Sequence, residues 1–527
     1  MTLEQIGDWF GGGTPNTGLA EYWEGGTIPW FSPKDMKCLR LTEAEDNITE
    51  RATQQTNVKP FPKGVVLTVV RSGILSRTLP VGVSEVVGTM NQDLKGIHPL
   101  PGIEPYFIAY QLMSQERAIL DRCCKDGTTV ASIDVRRFRS YTVAIAPTEE
   151  QRRIVAKIEE LFSDLDAGVA ALERVRSNLK RYRATVLKAA VEGKLTEDWR
   201  AQHPDTEPAS VLLERILTQR SRQWEKDQLA KFAQVGKQPR DQNWKLKYEL
   251  PPKLDNGVEH REPLPKSWTW ATIGQLYEVK YGLSEPLSKQ APDSPDDIPV
   301  LRIANVTEYG SLNIDQLKYF PVPRKDRPKL LLNKGDLLFN WRNAPNLIGK
   351  TAVFDIEGEY VNASFLLRLR PPLPSLDGRF SWIVLNLLRL RGYFSLIANA
   401  AVNQSNFNAS RTSTVEMPLP PLAEQIQISA EVDRRLSIVD EIEAQVEANV
   451  KRGTRLRQGI LKRAFEGRLV PQDPTDKPAE ELLEHIRQQR LAATPADNCS
   501  PRTGQRRRPR KGGSTLSLFP EGNPDRE

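Results

Sequence analysis

Leu187-Lys188-Ala189-Ala190-Val191-Glu192-Gly193-Lys194-Leu195 returns 274 positions later as Leu461-Lys462-Arg463-Ala464-Phe465-Glu466-Gly467-Arg468-Leu469. The same shift holds backwards without a gap. Arg183 meets Arg457, Glu173 meets Glu447, Asp166 meets Asp440, Ile154 meets Ile428, and Glu150-Gln151 meets Glu424-Gln425. Forwards, after a four-residue slip, Pro208-Ala209, Leu212-Leu213-Glu214 and Arg220 meet Pro478-Ala479, Leu482-Leu483-Glu484 and Arg490. Repeats of this size mark duplicated domains, not a short-period solenoid.

The repeated segment reads as a long helix. In the first copy, apolar or small residues recur every seven positions as Ile154, Leu161, Gly168, Val175, Tyr182 and Ala189. A second set is Ile158, Leu165, Leu172, Leu179 and Val186. Together these form the a and d positions of a heptad seam. The second copy keeps Ile428, Val432, Val439, Ile442, Val446, Leu456 and Ile460, with Arg435, Asn449 and Gly453 as breaks. Pro147 and Pro421 suit the starts, and Gly193 and Gly467 the stops. Each helix is expected to be about 65 Å long, and the two are expected to pair as an antiparallel coiled coil.

What precedes each helix is rich in Val, Ile, Thr, aromatic residues, Gly and Pro. Apolar runs at 65–70, 337–339 and 365–369 suit strands, while 106–120 and 380–398 suit helices. Landmarks recur in order: Ile6-Gly7 with Ile273-Gly274, Ile28-Pro29 with Ile298-Pro299, Lys63-Gly64 with Lys334-Gly335, Arg71 with Arg342, and Asn91 with Asn362. The expected fold class is therefore α/β (α+β), in two copies, each followed by a long helix. The expected divisions are 1–146 (first module), 147–233 (long helix and a following helix), 234–263 (polar linker), 264–420 (second module), 421–490 (second long helix and following helix) and 491–527 (disordered basic tail).

At 527 residues the chain is too long for one core. Its 39% hydrophobic and 27% charged residues describe a globular body. No run reaches the roughly 18 apolar residues of a membrane span, and residues 1–10 lack a secretory pattern. Four cysteines form no CxxC pair and four histidines are scattered, so no metal site is expected. Cys123-Cys124 reads as reduced thiols in a cytosolic protein. The net charge of +7 permits a nucleic-acid partner, although part of it lies in the tail at 502–511. Motifs of catalysis are missing. The Pro-Pro pairs lack the Asn/Asp/Ser-Pro-Pro-aromatic context of an amino methyltransferase. Gly349-Lys350-Thr351 resembles the end of a phosphate loop, but Ala344 stands where its first glycine belongs. Gly11-Gly12-Gly13 opens no helix and reads as a turn. Glu192-x-Lys194, half of a nuclease pattern, sits at a helix end, where Lys offsets the dipole.

The combination resembles the specificity subunit of type I restriction–modification enzymes. Leu264-Pro265-Lys266-Ser267-Trp268-Thr269-Trp270 followed by Ile273-Gly274 resembles the opening of that family's target-recognition domains. Pro418-Leu419-Pro420-Pro421-Leu422-Ala423-Glu424-Gln425 resembles their closing signature, with Ala146-Pro147-Thr148-Glu149-Glu150-Gln151 as a degraded first version. Leu187 to Leu195 and Ile460 to Leu469 resemble the family's helix-end motif. One departure is that Thr2-Leu3-Glu4-Gln5-Ile6-Gly7 lacks the Leu-Pro-x-x-Trp lead-in. That leaves open a misplaced or truncated start and a less well packed first module.

The resemblance implies a non-catalytic chain in a prokaryotic cytoplasm, binding double-stranded DNA and no membrane. Each module would read half of a bipartite, asymmetric site. Two methyltransferase subunits would dock on the helices and methylate adenine N6, and two restriction subunits would cut unmethylated DNA. No cofactor is expected on this chain; S-adenosylmethionine, ATP and Mg would belong to the partners. The two modules on a rod of about 65 Å can span half-sites about 34 Å apart.

Base readout favours Arg on guanine and Asn or Gln on adenine. Arg71-Ser72 and Trp341-Arg342-Asn343 follow predicted strands at equivalent places and are first candidates. Lys34, Arg302 and Asn305 follow the Ile-Pro landmark and are second. Asn91-Gln92, Asn362 and Gln404-Ser405-Asn406 either read bases or satisfy backbone in turns. Helix-pairing positions are Ile158, Leu165, Leu172, Leu179, Val186, Val432, Val439, Val446 and Ile460. The opposite faces carry Arg176, Lys180, Arg181, Arg183, Lys188, Lys451, Arg452, Arg455 and Arg457, which are either solvated or approach DNA. Thr515-Leu516-Ser517-Leu518-Phe519 resembles a sliding-clamp-binding pentapeptide. Two other readings remain: a coiled-coil scaffold with two protein-binding modules and no DNA readout, and an enzyme in its own right.

Overall fold

The computed structural model describes residues 1–125, 130–239, 241–255, 262–284, 297–372, 376–397, 399–401 and 404–493. The chain forms two compact units that do not follow chain order. One gathers Met1–Leu165 with the chain from Arg455 onward; the other is Asp166–Thr454.

The first module contains β1 (Gly7–Gly11), β2 (Ile28–Phe31), β3 (Val66–Val69), β4 (Val81–Ser84), β5 (Thr89–Met90) and β6 (Leu94–Pro99), then α1 (Pro105–Ser114). The long helix α2 (Thr148–Val191) and α3 (Ala209–Gln234) follow. The second module repeats the series as β7 (Glu278–Tyr281), β8 (Asp297–Leu301), β9 (Leu337–Asn340), β10 (Thr351–Val353), β11 (Val361–Asn362), β12 (Leu366–Arg370) and α4 (Gly378–Leu390). The long α5 (Leu422–Phe465) and α6 (Ala479–Ala493) follow it in the chain.

The duplication reaches the strand register. The main sheets run β1-β6-β3-β4, with Arg40–Leu41 added, and β7-β12-β9-β10. Asp8 faces His98 as Glu278 faces Arg370. Val66 faces Ile97 and Val83 as Leu337 faces Leu369 and Val353. A smaller sheet in each module pairs β2 or β8 antiparallel to one strand (Asp46–Ile48 or Lys318–Pro321) and parallel to another (β5 or β11). A one-residue slip would turn every side chain to the opposite face, so a shared register is a strong constraint. β3 and β9 are buried throughout, which is why their sequences are continuous apolar runs without alternation. The helices read from sequence at 106–120 and 380–398 are each broken, at Gln115 and at Arg391-Gly392. Gly392 has φ +75°, a left-handed conformation that ends α4.

Two landmark pairings need correction. Leu3 N–H donates to Tyr141 O as Ile273 N–H donates to Val415 O. The Gln5 side chain accepts from Thr2 N as that of Gln275 accepts from Thr272 N, each at 2.8–2.9 Å. Thr2-Leu3-Glu4-Gln5 therefore corresponds to Thr272-Ile273-Gly274-Gln275, and Ile6-Gly7 to Leu276-Tyr277. Likewise Asn91 N–H donates to Phe31 O as Ala363 N–H donates to Leu301 O. Asn91 corresponds to Ala363, and Asn362 to Met90.

Each long helix has 44 residues. Each ends against a glycine in the left-handed region, Gly193 at φ +70° and Gly467 at +69°. Gln151 and Gln425 hook the starts. Gln151 donates to Ala146 O and accepts from Glu104 N; Gln425 donates to Pro420 O and accepts from Asp377 N. The inward face of α2 runs through Ile154, Ile158, Phe162, Leu165, Val169, Leu172, Leu179, Arg183 and Val186, all buried or half-buried. On α5 it runs through Ile428, Val432, Leu436, Val439, Glu443, Val446, Gly453, Arg457 and Ile460. The steps from Gln151 to Phe162 are 3, 4 and 4 residues, an eleven-residue stride that moves the seam one position off a pure heptad. Val175, Tyr182, Ile442 and Leu456, expected in the seam, are exposed for this reason. Gly453 is no break: a Cβ there would lie 3.3 Å from a Val169 methyl. In the second unit, Val169 lies by Gly453 and Arg183 by Asp440, so the helices run antiparallel.

The following helices close the modules. Arg220 of α3 donates to Gly274 O (2.5 Å) and Tyr277 O (2.8 Å) in the second unit. Arg490 of α6 donates to Gly7 O and to Asp8 (3.0 Å) in the first. By the corrected alignment Gly7 is the counterpart of Tyr277, so the two arginines perform one task. The expected linker is partly folded onto α3. Trp244 stacks on Trp224 at 5.8 Å, Tyr248 packs on the same ring, and Pro252 O accepts from Thr272 Oγ1. The tail expected at 491–527 begins inside α6, which runs to Ala493; from 494 on, with Thr515-Leu516-Ser517-Leu518-Phe519, it lies outside the described residues.

Candidate nucleic-acid interface

In the first module, residues 91–93 tie the end of β2 to the end of β3. Asn91 N–H donates to Phe31 O (2.9 Å), and Asp93 O accepts from Val70 N (2.8 Å). Asn91 Oδ1 also accepts from Asp93 N (3.0 Å). The Asp93 carboxylate is thereby fixed, and it accepts from Arg71 Nε at 2.7 Å. Arg71's backbone pairs with Ser132. Ser72 is drawn into local structure, its hydroxyl accepting from Ile74 N at 3.4 Å. Lys34 is exposed in the turn after β2, 3.4 Å from Asp46. Beside it opens a cavity of about 400 Å³ lined by Trp23, Trp30, Lys34, Asp46 and Asn91. The structure thus gathers Lys34, Arg71 and Asn91 around one turn.

Glycine is required where the chain leaves the first strand. A Cβ on Gly12 would lie 2.1 Å from Met90 O, and one on Gly282 would lie 2.0 Å from Asn362 O. Close approach of backbone to backbone explains the glycine at the centre of Gly11-Gly12-Gly13.

The second module builds the same turns with other chemistry. Arg342 pairs through its backbone with Asn406, as Arg71 does with Ser132. Its guanidinium lies over the Phe365 ring, 5.3 Å from the centroid. Phe365 occupies the place of Asp93, one residue before β12 as Asp93 is one before β6. Trp341 donates its indole N–H to Ser364 O (2.6 Å) and packs on Tyr281. The Asn343 side chain accepts from Ala344 N (2.8 Å). Arg302 lies after β8 and reaches Gln316 O at 3.3 Å.

Several candidates are structural. Asn305 is 3% exposed; its amide accepts from Arg302 N and donates to Asn313 O, so it shapes the turn and presents nothing outward. Asn362 is also buried and donates to Leu366 O. Side chains at Gln404-Ser405-Asn406 lie outside the description. On the helices, Arg183 and Arg457 leave the outer face. Arg183 is 4% exposed, bonded to Asp440 and Glu443 and placed over the Tyr309 ring at 4.2 Å; Arg457 lies over Phe162. Lys350 is buried, with Nζ donating to Val306 O and Ile303 O, and burial pushes its ammonium down. It braces the Arg302–Asn305 turn and is no phosphate ligand. Burial pushes the Glu192 carboxyl up, but Lys194 and Lys188 outweigh it and hold the group below the ordinary range. Among the described residues no helix is long and apolar enough to span a membrane, and no cluster of His, Cys, Asp or Glu is placed to hold a metal ion.

Sequence reading missed Glu424. It is fully buried and accepts from Trp268 Nε1 (2.8 Å), Thr196 Oγ1 (2.7 Å) and Arg200 (2.5 Å). One carboxylate thus joins the closing signature, the lead-in tryptophan and the segment after α2. The signal was present, because Trp268 and Glu424 both stand in the family-like motifs.

Two modules of one register, held by a duplicated helix and differing at equivalent loop tips, define the class. The chain belongs to the type I restriction modification DNA specificity domain family, whose model matches residues 1–174 and 265–452. It is 37% identical over 184 residues to the specificity subunit of the EcoR124I/EcoR124II enzymes of Escherichia coli, covering 34% of this chain and 46% of that one. It is 24% identical over 380 residues to the EcoKI specificity subunit of Escherichia coli K12, covering 70% and 68%. The chain thus spans less than half the length of the first relative and about two thirds of the second. A solved chain from a study of assembly and conformational transition in a type I R-M system has the same fold. Its TM-score is 0.56 at 18% identity, over 89% of this chain and 97% of that one.

Proposed function

We propose that this chain is the sequence-specific DNA-binding specificity subunit of a type I restriction–modification complex. Each module reads one half of a bipartite, asymmetric site. The chain is not itself a catalyst. It directs adenine-N6 methylation by two methyltransferase subunits and cleavage by two restriction subunits, in the cytoplasm of a prokaryote. S-adenosylmethionine, ATP and Mg belong to those partners. The tail pentapeptide at 515–519 is assigned to the sliding clamp, and loss of clamp pull-down on deleting it is the expected result.

The observation that carries this reading is the contrast between frame and tips. Strand register and helix hooks coincide between the modules, while Asp93 beneath Arg71 becomes Phe365 beneath Arg342. A frame kept for the same partner with tips changed for different half-sites accounts for both. Footprinting of the assembled complex tests it: two short protected segments separated by an unread spacer are expected. Uniform, sequence-independent protection would favour the scaffold reading. The purified chain with DNA, Mg and S-adenosylmethionine is expected to give no turnover; turnover would make it an enzyme.

A further inference from the structure

We propose that Arg71 reads a guanine in the half-site of the first module, with Asp93 as the residue that positions it. This rests on the DNA-reading function above and names the base.

Arg71 is 58% exposed at its side chain and is held by Asp93 through Nε alone. Among the described residues no other partner engages it. With Nε taken, the two Nη groups remain as a fork at the end of the side chain. A guanidinium fork matches two acceptors side by side, and guanine offers O6 and N7 in the major groove. Adenine offers N7 beside a donor, so the same fork loses one bond and faces a like dipole. The direction of the fork is set in advance. Asp93 is pinned to β3 through Val70 and to β2 through Asn91, and Arg71's own backbone pairs with Ser132. Little ordering is therefore left to binding.

The anchor also argues against a phosphate contact. A carboxylate 2.7 Å from the guanidinium cancels much of its charge, and phosphate binding depends on charge. Base reading depends on direction, which the carboxylate supplies. The contrast with Phe365 at the equivalent place supports a role in choice of sequence. A purely structural carboxylate would serve both modules equally.

The test combines methylation sequencing with binding. The full chain, wild type and as Arg71→Gln and Asp93→Asn, is expressed with its methyltransferase partner, and the methylated motif is read from genomic DNA. Each complex is also titrated against duplexes carrying all four bases at every half-site position, at low salt. The wild-type complex is expected to prefer guanine at one position of one half-site by about 5- to 150-fold. Arg71→Gln should abolish that preference while the other half-site stays strict. Asp93→Asn should weaken the preference and leave the salt dependence of binding unchanged. Affinity lost equally on all four bases would make Arg71 a phosphate contact and overturn the proposal. So would strict positions unchanged in both variants, or a relaxed position that is not guanine. A wild-type complex with no methylated motif and no preferred sequence would instead remove the DNA-reading function itself.

Discussion

Removing the Glu424 carboxylate should destabilise the second unit more than removing any one of its partners. Glu424→Ala leaves the Trp268 N–H, the Thr196 hydroxyl and the Arg200 guanidinium without their acceptor in a site where Glu424 is 0%, Thr196 1% and Trp268 6% exposed. Breaking a buried ion pair from one side costs about 3–5 kcal/mol. Trp268→Phe removes one neutral donor and should cost about 1–3 kcal/mol. At roughly 2–4 °C per kcal/mol for a unit of this size, Glu424→Ala should lower its calorimetric transition by roughly 6–20 °C. The pair should also couple. In the Glu424→Ala background, Trp268→Phe should cost at least about 1 kcal/mol less than in the wild type. Strict additivity, or a Glu424→Ala transition within about 2 °C of wild type, would refute the reasoning.

Arg183→Ala should cost the second unit about 2–3 kcal/mol, below the full buried-pair figure because Asp440 is 62% exposed. Arg183→Leu with Glu443→Leu should recover most of that in urea unfolding; a double variant as weak as the single one would count against a buried ion pair in the seam. Arg220→Ala should lower the transition of the second unit, and Arg490→Ala that of the first, each by about 1–3 kcal/mol, because each strips a charged donor from backbone carbonyls. Transitions moved in the opposite units would disprove the closure of each module by its helix. Tyr106 and Lys63 hold the Glu85 carboxyl below its ordinary value of 4.5. Its folded pKa is depressed, so its contribution is present above about pH 4.5 and lost as pH falls through the folded value. Glu85→Gln should flatten the acid limb of the first unit's stability curve, and an unchanged limb would rule this out.

The long helices were legible because a gapless shift, flanking prolines and terminal glycines all agree. Their seam was only half legible. The stride of eleven residues from Gln151 to Phe162 is short beside five heptads. It suffices to turn Tyr182 outward and Arg183 inward. The modules were legible as strands and helices, not as copies in register. A buried strand such as Val66–Val69 accepts any apolar sequence, so Leu337–Asn340 repeats its place without its letters. Landmarks matched by identity alone slipped, by three residues at Ile6 and by one at Asn91. At the candidate loop tips, residue type pointed to Arg71 and Arg342. It could not reveal that Asp93 and Phe365, each more than twenty residues on, differ beneath them. Trp244 and Tyr248 were hidden in a charged stretch whose composition resembles a linker.

On the proposed function, each module reads its own half of one site. Single-molecule sequencing of N6-methyladenine tests it most directly, in a host without such systems that expresses this chain with its methyltransferase partner. One bipartite motif, interrupted by a fixed spacer and methylated once on each strand, is the predicted result. A single undivided motif, or none in cells where the assembled complex is present, would contradict it.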